Sequence, residues 1–425
     1  MSAGTSRAAA DTVDTDRTVD LLRSLVRIES PYFHEAEIVE FVHDWLAERG
    51  LDPSYHRVSE PDVTGYEGRN VIARLEGSDP AAPTLLLNGH VDTVELVADW
   101  EEDPLSGRIE DGRLYGQGAA DMKAGLAAAM SAFAALAEAD VDLAGDVVLT
   151  AVVDEEGPYG LGTDQLIRDG RLADCDMAVV TEPGPAFDSE SDATNPRLYL
   201  GARGRFLYDI EVRGTAAHGS MPERGANAVV AASRIAAALE EMEVGSHPLL
   251  GSGSVCPLRI EGGSQTLSVP ESCRLLVDRH VVPGETSGTV LSEAEAVVDS
   301  LDLGDVDVDV GLRETPHPDA RYGPYTVDED EPLVEGLAAA TETVTGDRPG
   351  VGYFPSVGDF NYLGHREGLP TVILGPDGAN VHSAGEWVDV AETVEVARIL
   401  AAGAVELVGT AQRADARHDG GEDAD

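Results

Sequence analysis

The chain has 425 residues, 42% of them hydrophobic, with 79 Asp plus Glu against 29 Lys plus Arg and a formal net charge of −50. That length exceeds one compact core and points to two domains, while the charge excludes a nucleic-acid or anionic-membrane partner. The acids are spread along the chain, a pattern suited to concentrated salt, where the Debye length falls to about 3 Å at 1 M.

From the N-terminus, MSAGTSRAAADTVDTD has no basic-then-apolar signal pattern and reads as a short disordered lead-in (residues 1–16) to a cytoplasmic protein. No uninterrupted run of about 18 apolar residues suggests a membrane span. Helical periodicity covers Val19–Ile28, Glu35–Arg49 and Lys123–Glu138. Strand-like runs fall at Asn70–Arg74, Thr84–Leu87, Asp146–Val153 and Met177–Val180. Their alternation predicts an α/β fold, a mainly parallel mixed sheet between helices. The pattern then changes. Phe206–Arg213 alternates apolar and polar residues, a helix follows over Ala226–Met242, and Cys273–His280, Thr286–Leu301 and Val306–Leu312 read as strand, helix and strand. This predicts a two-layer α+β domain, residues 197–312, inserted into a catalytic domain of 1–196 and 313–425. The first style returns with Pro332–Val344, Thr371–Leu374 and Ala391–Gly409, and residues 412–425 read as a disordered acidic tail. Cys175, Cys256 and Cys273 are too scattered for a disulfide framework or a CxxC site and read as small core residues.

Chemistry in α/β sheets collects where strands end. Thr84–Leu87 runs into NGHVDTV, with His90 and Asp92. GQGAADMKAG brings Asp121 to the start of a helix, and Asp146–Val153 runs into Asp154, Glu155 and Glu156. Glu182 follows Met177–Val180, and His382 follows Thr371–Leu374 in GPDGANVHSAGE. Singly these are weak: Asp121 reads by default as an N-cap, His382 more often as a hydrogen-bonded loop histidine than a ligand, and Glu182 could simply be solvated. Together they supply two imidazoles and three carboxylates, enough for two divalent ions if one carboxylate bridges. Such a pair would offset the clustered charge at 154–156. Glu155 and Glu156 point opposite ways in an extended segment, so one can bind metal while the other stays free as a general base.

With GHVDTV, GQGAADMKAG, VVDEEGP, TEP and GANVHSAGE, the chain resembles the co-catalytic zinc aminoacylase/carboxypeptidase family over roughly residues 17–410. That family includes acetylornithine deacetylase, succinyl-diaminopimelate desuccinylase and aminoacylase. The resemblance implies Asp121 as the bridging ligand, Glu156 and His382 completing one metal site, and His90 and Glu182 the other. Glu155 falls at the general-base position and Asp92 at the acid that orients the His90 ring. The inserted segment resembles the family's lid and dimerisation domain, which implies a homodimer with His218 reaching the partner's active site to steady an oxyanion. Arg279 matches an arginine that binds the substrate carboxylate. Asn227 reads equally as a helix start or a substrate contact, and Asp359 in SVGDF as a contact to a substrate ammonium or a turn cap. The implied cofactor is two divalent ions, zinc first, with cobalt or manganese open. The implied reaction is removal of an acyl group from an N-acyl amino acid. A dipeptidase or carboxypeptidase is the alternative, and a non-catalytic metal-binding paralogue is disfavoured because Glu155 is present. Glu at position 182 tilts the choice toward a deacylase.

Overall fold

The computed structural model describes residues 2–187, 196–316 without Ser264 and Thr266, and 321–410. Its centre is a nine-stranded mixed sheet. The middle is parallel and entirely buried: Val147–Val152, Leu85–His90, Met177–Val180 and Thr371–Ile373 lie side by side. These four strands are nearly continuous runs of Val, Leu, Ile and Ala, as burial on both faces requires. Antiparallel strands flank them, Tyr66–Leu75 and Ser54–Glu60 on one side and Arg197–Ala202 on the other.

Helix Ala124–Glu138 crosses the core with its residues through Leu136 buried. The stretch Ala119–Glu138 is long and apolar enough to span a bilayer, yet it is buried inside the protein as far as Leu136. Its many buried alanines let it pack closely on the sheet and on helix Val390–Val408.

The opening residues differ from expectation. Ser2–Thr12 is a helix, not a disordered lead-in, and Thr15–Val26 is a second. Ser6, Ala9, Ala10 and Val13 are buried at helical spacing, and this face packs on Val390–Val408. The reason is the stripe of small side chains, which lets two helices approach closely although alanine and serine are only weakly apolar. The acidic tail expected at 412–425 lies outside the described residues.

The second domain is a four-stranded antiparallel sheet, ordered Ser254–Gly262, Ser272–Val281, Gly204–Arg213, Asp307–Leu312. Helices Ala228–Glu240 and Ser287–Asp299 cover one face, around a separate core that includes Tyr208, Ile210, Ile235, Leu275 and Val277. Its first strand starts at Gly204, because Arg197–Ala202, expected at the start of the insertion, belongs to the large sheet. The boundary is Arg203, a single residue between the two strands.

Candidate active site

The parallel strands deliver the site. Leu85–His90 ends in His90, whose side chain is buried to 1% exposure. The ring Nδ1 faces the Asp92 carbonyl oxygen at 3.0 Å and the Asp92 carboxylate at 3.5 Å. Val147–Val152 ends three residues before Glu155. Asp154 adopts φ +58 and accepts from the Leu161 N–H at 3.2 Å, which turns the chain sharply. The Asp92 carboxylate then accepts the N–H groups of Glu155 at 3.2 Å and Glu156 at 2.9 Å. The sequence places Asp92 as the group that orients the His90 ring. It does so mainly through its carbonyl, while its carboxylate fixes the acidic turn over the histidine.

Asp121 enters from the segment before the long helix. Its N–H and those of Gly118 and Ala120 are accepted by the buried Glu386 carboxylate at 3.1, 2.9 and 2.9 Å. The N-cap reading of Asp121 does not hold; the capping oxygens here belong to Glu386. Glu182 follows Met177–Val180, and His382, with φ +57, stands in the loop after Thr371–Ile373.

These side chains converge. His90 Nε2 lies 3.2 Å from Asp121, 3.5 Å from Glu182 and 3.7 Å from Glu155. His382 Nε2 lies 2.9 Å from Glu156 and 3.5 Å from the other Asp121 oxygen. Asp121 thus faces both histidines, the placement a bridging ligand needs. Ligand atoms of His90, Asp121 and Glu156 lie within 4.8 Å of one another, as do those of His90, Glu155 and Glu182.

The electrostatics favour a bound cation. Side chains of Asp121, Glu155, Glu156 and Glu182 are 6–10% exposed, and among the described residues no Lys or Arg pairs with any of them. Burial, reinforced by neighbouring carboxylates, pushes Glu155 and Glu182 well above the usual range and Glu156 up to about 7. The hydrogen bond to Glu156 holds His382 up to about 9. Burial opposes charge on His90, but Asp121, Glu182 and Glu155 outweigh it and raise its pKa. A cluster that must take up protons to stay buried is one that divalent ions would stabilise in the deprotonated form. The donor set, imidazole nitrogen and carboxylate oxygen, fits such ions.

The carboxylates open onto a cavity of about 270 Å³, shared with Arg205, Tyr322, Phe354, Ser356 and Val357. Arg205 lies over the Tyr322 ring at 4.8 Å, and its N–H donates to the Tyr322 carbonyl at 2.8 Å. Sequence reasoning missed Arg205, Tyr322 and Glu386. The only signal for Arg205 was its position at the domain boundary.

Four other candidates do not line the cavity. Arg279 is buried in the lid, with its guanidinium on Glu285 and Glu293, so it does not reach the cavity. Asn227 caps helix Ala228–Glu240 through the Val230 N–H at 3.1 Å, the first of its two readings. His218 is exposed on the lid and bonded to the Ser220 hydroxyl at 2.8 Å, and it does not line the cavity. Asp359 is 1% exposed and likewise off the cavity wall; burial pushes it up to about 7.

Residues 86–406 match the model of peptidase family M20/M25/M40. Among curated proteins, the chain is 29% identical to N-formyl-4-amino-5-aminomethyl-2-methylpyrimidine deformylase of Bacillus subtilis, covering 91% of this chain and 93% of that one. It is 26% identical to succinyl-diaminopimelate desuccinylase of Methylorubrum extorquens, covering 88% and 94%. Among solved structures, a di-peptidase from Saccharomyces cerevisiae superposes with a TM-score of 0.74 at 16% identity, over 96% of this chain and 99% of that one. A metallo-carboxypeptidase from Sulfolobus solfataricus gives 0.73 at 17%, over 92% and 99%.

Proposed function

This chain belongs to peptidase family M20/M25/M40 and is a hydrolase of amide bonds, and from that premise we propose that it removes the acyl group from an N-acyl amino acid. One observation carries the proposal: four buried carboxylates and the buried His90, joined by the more exposed His382, with a cavity on their open side. Curated relatives named as a deformylase and a desuccinylase support acyl removal over peptide cleavage. The alternative is cleavage of a dipeptide by the same chemistry.

We assign Asp121 as the bridging ligand, Glu156 and His382 to one ion, and His90 and Glu182 to the other, with zinc ahead of cobalt or manganese. When bound, such ions supply Lewis-acid polarisation and lower the pKa of water. Glu155 borders the cavity and is the one carboxylate of the four left unassigned. It takes the proton of the attacking water and hands it to the leaving amine. Asp92 holds the Glu155 and Glu156 backbone in place during both transfers. Arg205 replaces Arg279 as the cation for the substrate carboxylate, being the guanidinium on the cavity wall. His218 acts on the active site of a second copy, with the lid domain as the dimer interface, and steadies the oxyanion there.

The test is hydrolysis of N-formyl, N-acetyl and N-succinyl amino acids against dipeptides, in molar salt with added zinc or cobalt. Faster acyl removal is expected; faster dipeptide cleavage favours the alternative. Glu155→Gln should retain both ions and lower kcat by about 10²–10⁴-fold, and near-normal turnover would remove Glu155 from its role.

A further inference from the structure

His382 is unlike the other side chains of the centre. It is 46% exposed, against 10% or less for His90, Asp121, Glu155, Glu156 and Glu182. Packing therefore does not hold it. Its loop is also kinked, with Asn380, His382 and Gly385 all at positive φ. Internal bonds bend the loop on itself, from Ser383 N–H to the Asn380 carbonyl and from the Asn380 amide to the Gly385 carbonyl. They do not aim it at Asp121.

Glu386 supplies the aim. It is 1% exposed, four residues after His382, at the point where the loop rejoins strand Trp387–Asp389. Both carboxylate oxygens are committed to the Asp121 segment, Oε2 to the Gly118 N–H and Oε1 to those of Ala120 and Asp121. Its carbonyl accepts the Gly116 N–H at 3.1 Å. The neighbouring ladder pairs Trp387 with Tyr115. One side chain thus ties two chain segments more than 260 residues apart, each carrying a donor that faces the other at 3.5 Å.

We propose that Glu386 is a positioning residue that fixes the separation of Asp121 and His382 and so sets the affinity of one ion of the pair, with a weaker effect on the other. The second ion shares Asp121, but its other donors, His90 and Glu182, follow buried strands and lack the exposed loop that carries His382, so the brace matters less to it. A carboxylate is needed because three N–H groups converge on it, and a Gln side chain has one oxygen to offer them. The inference rests on the two-ion reading above.

The test is titration of the metal-stripped full-length protein with Co²⁺ or Zn²⁺ against a competing chelator. Glu386→Gln should weaken one of two binding events by about 10–100-fold, the range of outer-shell ligand support, and leave the other within a few-fold of wild type. Parallel weakening of both, or two unchanged events with only a lower Tm, would overturn the proposal in favour of a purely structural cap. A wild-type protein that takes up fewer than two ions would instead sink the two-ion reading itself. Hydrogen exchange on the unsubstituted protein guards against a variant that does not fold: on adding metal, protection should rise in 116–121 and 380–386 together. Protection of one segment alone would also overturn the brace.

Discussion

Glu35 lies behind the acidic turn, away from the cavity, and accepts the Phe33 and Asp154 N–H groups and the Tyr66 hydroxyl. Burial first, then the Asp92 charge, pushes its carboxyl up to about 7. An unfolded glutamate titrates near 4.3. Between about 4.3 and 7 the folded state therefore holds a proton that the unfolded state has released, and stability falls as pH rises through that window. Glu35→Gln should flatten this slope, gaining up to about 3 kcal/mol on wild type above pH 7 and little below pH 4; denaturant melts across that range check it. Arg205→Gln should raise KM for substrates bearing a free carboxylate by about tenfold or more, the loss of a charge-assisted contact, with a smaller effect on the carboxamide analogue. Equal losses on both would point to a structural role. At this scale the candidate metal donors were legible in the sequence because each follows a strand or, for Asp121, precedes a helix. Arg205, Tyr322 and Glu386 were not, because their roles depend on which distant segments meet. The contacts of Arg279 with Glu285 and Glu293 were hidden for the same reason: they form only in the folded lid.

Helix and strand meet most tightly at Gly125, where an added Cβ would lie 1.7 Å from the Thr181 carbonyl oxygen. That contact seats the long buried helix against the strand end that carries Glu182, so Asp121 and Glu182 share one centre. Gly125→Ala should destabilise by about 1–3 kcal/mol or more and reduce metal occupancy. Gly288→Ala, whose Cβ would meet nothing nearer than 3.6 Å, should do neither; urea midpoints and metal content separate them. The buried parallel strands were legible because their side chains are apolar on both faces. Two edge strands were not. Ser54–Glu60 carries polar and charged residues along its open side, and Ser254–Gly262 contains Pro257 at a register shift, where a missing N–H is tolerated. The opening helix escaped notice because its buried face is made of alanine and serine, small enough to pack but too weakly apolar to stand out.

For the whole molecule, the charge of −50 predicts a Tm that climbs between about 0.1 M and 1 M salt as self-repulsion is screened; a flat profile would exclude that account. The lid leaves Leu258 and Ile260 about half exposed on its edge strand, and in a homodimer through this domain Ile260→Glu should yield monomers by light scattering and lose whatever activity depends on the partner's His218. The order of the large sheet bears on how the protein is made. Thr371–Ile373 sits between Met177–Val180 and Arg197–Ala202, so a ribosome delivers both neighbours long before the strand that belongs between them. The lid, one continuous stretch with its own core, has all its parts while that gap is still open. The nascent catalytic half must wait, an apolar strand edge bare, and in that interval it is the natural client of a chaperone.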